Sequence, residues 1–265
     1  MALPNRRLHL FLFFALSVLL LAASVAFAQE EAAAAESPET IMEMILKSGA
    51  SGIAFMVILG SFSLIAVAVI IERLVNQARS KLLPPDFVSE LQQLSRGSGD
   101  VERFRPLAGK SQAPIARVLR AALLRTGRPL VEVEKAMEDA LAREAATLRG
   151  RVRPLNVIAS VAPLVGLLGT VVGMIMSFRT ASQAGLGRAE ILAEGIYLAL
   201  LTTAAGLIIA VPAVLAGAYF NAQIDRTMHQ TDEYLMETIP AFGRAEQRET
   251  AADRATDQLV AAGRD

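Results

Sequence analysis

The chain has no cysteine and no tryptophan, and only two of its 265 residues are histidines. Without cysteine it can form no disulfide, thiol nucleophile or cysteine-ligated metal site. His9 and His229 stand far apart, and no nucleophile–base or metal-ligand pattern accompanies either of them. A formal net charge of zero gives a nucleic-acid partner no electrostatic support. We therefore expect neither an enzyme nor a protein that binds a metal, a cofactor or nucleic acid.

The chain is rich in hydrophobic residues, which make up 53% of the sequence and are concentrated in long runs without charge. A hydrocarbon core about 30 Å thick requires roughly 20 apolar residues of helix. Three runs meet that length. They predict transmembrane helices at 53–71, 154–178 and 191–220.

A further apolar run lies near the N-terminus. Arg6 and Arg7 precede the run Leu10–Ala23, and the small-x-small sequence Ala26-Phe27-Ala28 follows it. This is the pattern of a cleavable signal peptide, which we place at 1–28. An uncleaved anchor helix is the alternative, and in both cases the residues that follow lie outside the cytoplasm.

The distribution of lysine and arginine assigns the two sides of the membrane. Most of the 26 basic residues lie between the first two predicted spans. We therefore predict a periplasmic N-terminal segment at 29–52, a cytoplasmic helical domain at 72–153, a periplasmic loop at 179–190 and a cytoplasmic tail at 221–265.

Outside the spans the pattern is helical, with no convincing period-two alternation of a sheet. The sequence Pro84-Pro85-Asp86 begins one helix, and Gly127 ends another. A long helix should start at Pro129 and continue through Pro154 into the second span. From Arg244 onward the periodicity is weak and predicts an irregular tail. The expected fold is an all-α membrane protein, with three transmembrane helices extended into a helical cytoplasmic domain.

Small residues recur along one face of the second and third predicted spans. Such faces let helix backbones approach closely in lipid, where helix pairing depends on packing. One interpretation is that the two stripes only join these spans within one chain. Because both spans carry such a stripe, we favour a second interpretation. In it, the small-residue surface that is not needed for the contact within one chain packs copies of the chain into a homo-oligomeric ring. The main packing positions are Gly166, Gly169, Gly173 and Gly206.

Three threonines, Thr170, Thr202 and Thr203, stand out in these spans, which have no charged residue at mid-depth. A threonine in a helix can bond its hydroxyl to its own backbone. Alternatively, the three line a polar path and face an ionisable group of a partner. An intramembrane acid or base is the usual mark of a proton relay. A proton path through this chain would therefore need a titrating group from another chain.

Two stretches make the sequence similar to a known family. One is Ala162–Met174 (A-P-L-V-G-L-L-G-T-V-V-G-M), and the other is Ala199–Leu207 (A-L-L-T-T-A-A-G-L), followed by Val211-Pro212-Ala213. With Glu72-Arg73 at the end of the first span, they resemble the MotA/TolQ/ExbB proton-channel proteins, most closely the ExbB/TolQ branch. The resemblance covers roughly 52–220.

The resemblance implies a pentamer whose second and third spans line a pore in the bacterial inner membrane. Inside it would lie the single-span helices of an ExbD/TolR-like partner, whose aspartate carries the proton. Thr170 and Thr203 match the family's pore threonines. The implied function is an ExbB-like channel subunit that couples the proton gradient, through a TonB-like protein, to transport across the outer membrane. A TolQ-like subunit of the Tol-Pal system and a non-conducting membrane scaffold are the alternatives.

At one position the chain departs from the family pattern. Many members have a glutamate where this chain has Leu198. Glu194 lies one helical turn away on the same face, and one hypothesis makes it a substitute acid at the mouth of the pore. The other is an ordinary glutamate at a helix N-terminus, where the helix dipole favours it.

Overall fold

A computed structural model describes residues 49–77, 79–97, 101–184 and 189–262. The predicted signal peptide and the segment that follows it, up to residue 48, lie outside the described residues. Every regular element in the described ranges is helical, as the sequence predicted. The elements are α1 (Gly49–Asn76), α2 (Arg79–Leu82), α3 (Pro85–Arg96), a 3-10 turn (Val101–Arg103), α4 (Phe104–Lys110), α5 (Pro114–Leu123), α6 (Leu130–Ala184), α7 (Ala189–Met236) and α8 (Ile239–Ala262).

Three of the helices, α1, α6 and α7, are long and apolar enough to cross a membrane. The predicted helix from Pro129 through Pro154 is confirmed, because α6 contains Pro154 and Pro163 without interruption. Helix α7 likewise contains Pro212. Proline is tolerated inside membrane helices because neighbouring helices, side chains or water can satisfy the freed carbonyl.

The connection between the second and third spans is shorter than the sequence predicted. Residues 179–184 belong to α6 and residues 189–190 to α7, although we predicted a loop over 179–190. Residues 185–188 lie outside the described ranges. The end of an apolar run marks the end of the hydrocarbon core and not the end of the helix, which continues here to Ala184.

The prediction of an irregular tail beyond Arg244 was wrong, since α8 continues to Ala262. Alanine, glutamate and arginine are strong helix formers even when few of their side chains are buried. Weak apolar periodicity therefore did not indicate an absence of helix.

The chain divides into two compact units, which we describe separately. The first contains the described residues up to Glu72 together with Val152–Tyr219, and it holds the apolar parts of the three long helices. The second contains Arg73–Arg151 and the residues from Phe220 onward.

The second unit has its own hydrophobic core, to which α3 to α8 contribute. Helix α8 supplies Ala241 and Phe242, each 2% exposed. Glu246, one turn further along α8, accepts a hydrogen bond of 3.2 Å from the backbone amide of Leu130. That amide belongs to the first turn of α6, which has no partner for it within its own helix. The C-terminal helix therefore both completes the core of this unit and caps the start of α6.

Polar contacts link other helices of the second unit. Both oxygens of the Glu144 carboxylate in α6 accept hydrogen bonds from Arg117 in α5. Hydrogen bonding to this carboxylate raises the pKa of Arg117 above its already high value. The side-chain amide of Gln77 donates to the carbonyl of Phe220 at 3.0 Å, and that of Gln223 donates to the carbonyl of Gln77 at 2.8 Å. The end of α1 is thereby tied to α7.

Candidate functional site along the second and third membrane helices

Helices α6 and α7 pack closely against each other at glycine positions, where no side chain holds the two backbones apart. A Cβ added at Gly166 would lie 2.8 Å from the carbonyl oxygen of Thr202. One added at Gly206 would lie 2.6 Å from the carbonyl oxygen of Ala162. Backbone atoms cannot move aside as a flexible side chain can, so both positions require glycine.

The same pattern continues toward the C-terminal end of α6. A Cβ at Gly169 would lie 2.6 Å from the hydroxyl oxygen of Thr202, and one at Gly173 would lie 2.9 Å from the Cβ of Ala199. All four glycines singled out in the sequence therefore contact the partner helix of the same chain.

Polar side chains fill the spaces at the two ends of the helix pair. The Ser177 hydroxyl occupies the place of a side chain at Gly195, and the Asn156 side-chain oxygen does so at Gly217. Contacting residue numbers rise in α6 as they fall in α7, so the two helices run antiparallel. Because a helix rises about 1.5 Å per residue, the contact from Asn156 to Ser177 extends about 30 Å, the thickness of the hydrocarbon core.

Within the chain this packing covers much of the two stripes, and the packing of copies into a ring stays a prediction. Ala162, Ala199 and Ala213 are at most 2% exposed, and Gly166, Gly169 and Gly206 are buried. The two stripes face each other because the same spacing of small residues occurs on both helices. The faces left exposed carry large apolar side chains instead: Leu164, Leu168, Ile175, Leu200, Leu207 and Val214.

Thr202 joins the two helices. Its side chain is 5% exposed, and its hydroxyl lies 2.7 Å from the carbonyl oxygen of Ala199 in its own helix and 3.2 Å from that of Gly166 in α6. A hydroxyl has one proton, which is shared between these two acceptors. The structure therefore places the Thr202 hydroxyl within the helix contact.

Thr203 differs from its neighbour, because its hydroxyl oxygen is buried and has no hydrogen-bond partner among the described residues. Its Cα would lie 3.0 Å from a Cβ added at Gly166. Thr170 follows Gly166 by one helical turn and is 7% exposed. The Thr170 hydroxyl donates to the carbonyl of Leu167 at 2.7 Å. Thr170 and Thr203 thus both adjoin Gly166, and of the two only the Thr203 hydroxyl has no partner among the described residues.

Glu194 and Leu198 both lie within α7. Their side chains belong to the part of the chain that the structure does not describe, so the pore-mouth hypothesis for Glu194 stays a prediction. No group of histidine, aspartate and glutamate residues suited to a metal ion occurs among the described residues.

The sequence analysis did not identify Asn156 and Ser177. Both lie on α6 at a multiple of seven residues from Thr170, and Pro163 lies on the same line. That spacing was visible in the sequence. Its meaning depends on which side of α6 carries α7, which the sequence does not state.

Three long apolar helices, two of them packed along their length through glycine, define a multi-pass helical membrane protein. Residues 110–233 match the model of the MotA/TolQ/ExbB proton channel family. This range includes both helices of the candidate site up to Glu233.

Individual relatives agree with that match. The Tol-Pal system protein TolQ of Haemophilus influenzae is 31% identical over 221 residues, which cover 77% of this chain and 96% of that protein. An ExbB-like biopolymer transport protein of Synechocystis is 33% identical over 175 residues, which cover 65% of this chain and 82% of that protein. An ExbB homolog of Methanothermobacter thermautotrophicus is 29% identical, with 69% of this chain covered and 63% of the length of that relative. The chain belongs to the MotA/TolQ/ExbB proton channel family.

Proposed function

We propose that the chain is the proton-channel subunit of an ExbB-like motor in the bacterial inner membrane, coupling the proton gradient to TonB-dependent transport. Family membership supports the channel. The observation that carries the role of this site is the buried Thr203 hydroxyl without a partner among the described residues. An unmade buried hydrogen bond costs about 1–3 kcal/mol. Retaining such a group is favourable when a shift of the helices lets another chain or water supply its partner.

The missing group comes from an ExbD/TolR-like single-span partner, whose aspartate carries the proton. The sequence supports this assignment, because no charged residue occurs between Pro154 and Phe178. A proton relay in a membrane needs a titrating group. In this proposal Thr203 and Thr170 orient the partner's carboxylate, whereas Thr202 holds the two helices together.

The proposed assembly is a pentamer, with the exposed apolar faces of α6 and α7 turned toward neighbours and partner. The distribution of basic residues supports a cytoplasmic location for 72–153 and 221–265 and a periplasmic one for 29–52. A TonB-like protein receives the mechanical work.

Proton flux through proteoliposomes that hold the full-length chain and its single-span partner tests the function. We expect Thr203→Val to reduce partner-dependent flux about tenfold or more, because valine keeps the shape and removes the hydroxyl; the factor corresponds to about 1.4 kcal/mol. Thr202→Val is the matched control, one residue away, and should retain most of the flux. Unimpaired flux in both Thr203→Val and Thr170→Val would contradict the proposal.

Glu194 is proposed as an acid at the periplasmic mouth of the pore. If so, Glu194→Gln lowers flux in the same proteoliposomes when the outer compartment is acidic. An unchanged flux would assign Glu194 to the helix N-terminus alone.

A TolQ-like role is the second candidate, because the match to the Haemophilus influenzae TolQ protein covers 96% of that relative. Deletion of the gene separates the two roles. Loss of TonB-dependent uptake supports the ExbB-like role, whereas detergent sensitivity with normal uptake supports the TolQ-like one. Absence of partner-dependent flux in the wild-type complex would leave only a scaffold.

A further inference from the structure

Four residues of α6 recur at intervals of seven: Asn156, Pro163, Thr170 and Ser177. Residues seven apart are displaced by only about 20° around a helix, so the four form a line along one side of α6. The line runs the length of the contact with α7. It is neither uniformly apolar nor uniformly covered.

The half of the line that contains Thr170 and Ser177 is closed. These residues are 7% and 6% exposed, and their hydroxyls donate to the carbonyls of Leu167 and Gly173. The half beside Arg153 is open, since Asn156 is exposed and Pro163 is half-buried. Water that reaches this line of residues therefore enters at the Asn156 end.

The open half offers two groups that need hydrogen bonds. Pro163 has no amide hydrogen, so the carbonyl of Ala159, four residues earlier, lacks its usual helical donor. Asn156 presents a side-chain amide beside Gly217, where α7 has no side chain to cover it. Ala213 and Ala210, one and two helical turns before Gly217 on α7, also have no polar group in their side chains.

Such groups are costly against lipid. An unsatisfied backbone carbonyl or amide in hydrocarbon costs several kcal/mol, so polar backbone at membrane depth faces protein or a water-filled cavity. The residues that directly follow Asn156 and Pro163 lie on a different face of α6. Val157 is 52% and Leu164 is 63% exposed, and both suit lipid or an apolar neighbour.

We propose that the Asn156 amide and the Ala159 carbonyl bind water and form the hydrated inner end of the proton path. The inference rests on the proposed function in that protons leave Thr170 and Thr203 through this water. Water donates to the Ala159 carbonyl and to the Asn156 oxygen, and it accepts from the Asn156 nitrogen. Protons pass from one water to the next, so no protein group titrates here.

The natural absence of cysteine makes water access measurable with single cysteines in the full-length chain in membrane vesicles. Ala159→Cys places a thiol at the site and leaves Asn156 and Pro163 intact. Val157→Cys is the control: it is the more exposed position but lies on the apolar face. A thiol reacts as its thiolate, which forms only where water solvates it. We expect a charged methanethiosulfonate reagent to label position 159 about tenfold faster than 157.

Two second-site substitutions test the residues themselves in the Ala159→Cys protein. Asn156→Leu removes the amide, and Pro163→Ala gives the Ala159 carbonyl its helical donor. Each should slow labelling at least about fivefold, because water loses a hydrogen-bonding group. Pro212→Ala is the matched control, since it restores the same kind of bond at Ile208 in α7 and should leave the rate unchanged.

Three results would overturn the proposal: labelling no faster at 159 than at 157, rates unchanged by Asn156→Leu and Pro163→Ala, or an equal slowing by Pro212→Ala. Labelling reports water and needs no transport. A complex that conducts no protons therefore refutes the proposed function without affecting this measurement, and a dry site refutes the inference while flux persists.

Discussion

Adjacent residues of α7 have different environments, because one residue turns a helix by about 100°. The Thr202 hydroxyl lies between two carbonyl oxygens, one of them in α6, whereas the Thr203 hydroxyl is buried without a partner among the described residues. The two side chains are chemically identical. Their roles are separated only by what each one faces.

This difference predicts opposite effects on stability and transport. Thr202→Val should lower the free energy of unfolding of the full-length protein in bicelles by about 0.5–1.5 kcal/mol, because an interhelical hydrogen bond is lost. Thr203→Val should cost no stability, since it removes a hydroxyl that no described residue satisfies. A destabilisation by Thr203→Val as large as that by Thr202→Val would show that the two assignments are reversed.

At the scale of elements, glycine sets the distance between α6 and α7. Gly166 and Gly206 bring backbone against backbone, and Gly169 provides the space for Thr202. Gly60 in α1 is a contrast, because an added Cβ there would have no heavy atom within 4 Å. A glycine in a membrane helix therefore has a packing role only where a neighbour occupies the space.

Gly206→Ala should push the two helices apart, because its Cβ would lie 2.6 Å from the backbone oxygen of Ala162. We expect a loss of about 1–3 kcal/mol in the free energy of unfolding, the usual cost of overpacking. Gly60→Ala, the control, should be neutral or gain up to about 1 kcal/mol from helix propensity. Equal midpoints of thermal unfolding for the two variants in detergent would rule out the close contact.

At the scale of the whole molecule, the second unit has a core that is complete only with the C-terminal helix. Phe242 and Ala241 are buried in it, and Glu246 caps α6 at Leu130. A helix that we expected to be irregular is thus part of the fold. Weak periodicity hid it, since the apolar residues that it buries among the described side chains lie in its first two turns.

Phe242→Ala should destabilise the second unit by about 3–5 kcal/mol, the cost of removing a buried phenylalanine side chain. The expected readout is faster trypsin cleavage within 73–151 in membrane vesicles, with the membrane spans still protected. Arg254→Ala, an exposed position in the same helix, serves as the control and should leave the cleavage rate unchanged. Unchanged cleavage of Phe242→Ala would mean that α8 does not hold the core together.

Local patterns along the chain determine much of this protein by themselves. Apolar runs long enough to cross the hydrocarbon core identified three membrane helices, and the helix from Pro129 through Pro154 followed from a start signal and unbroken periodicity. The motifs at Ala162–Met174 and Ala199–Leu207 identified the family. The apolar runs, the helix start signal and the two motifs each depend only on residues that are neighbours along the chain, so the sequence alone is enough to recognise them.

Only the tertiary structure decided what the polar and small residues do. The glycine stripes fit a contact within one chain as well as a ring of copies, and the antiparallel register of α6 and α7 shows the contact within the chain. The same register covers Thr170 and Ser177, leaves Asn156 open, and leaves the Thr203 hydroxyl without a partner among the described residues. A helix turns each residue to a different side, so identical side chains acquire different roles according to the distant segment that packs on that side.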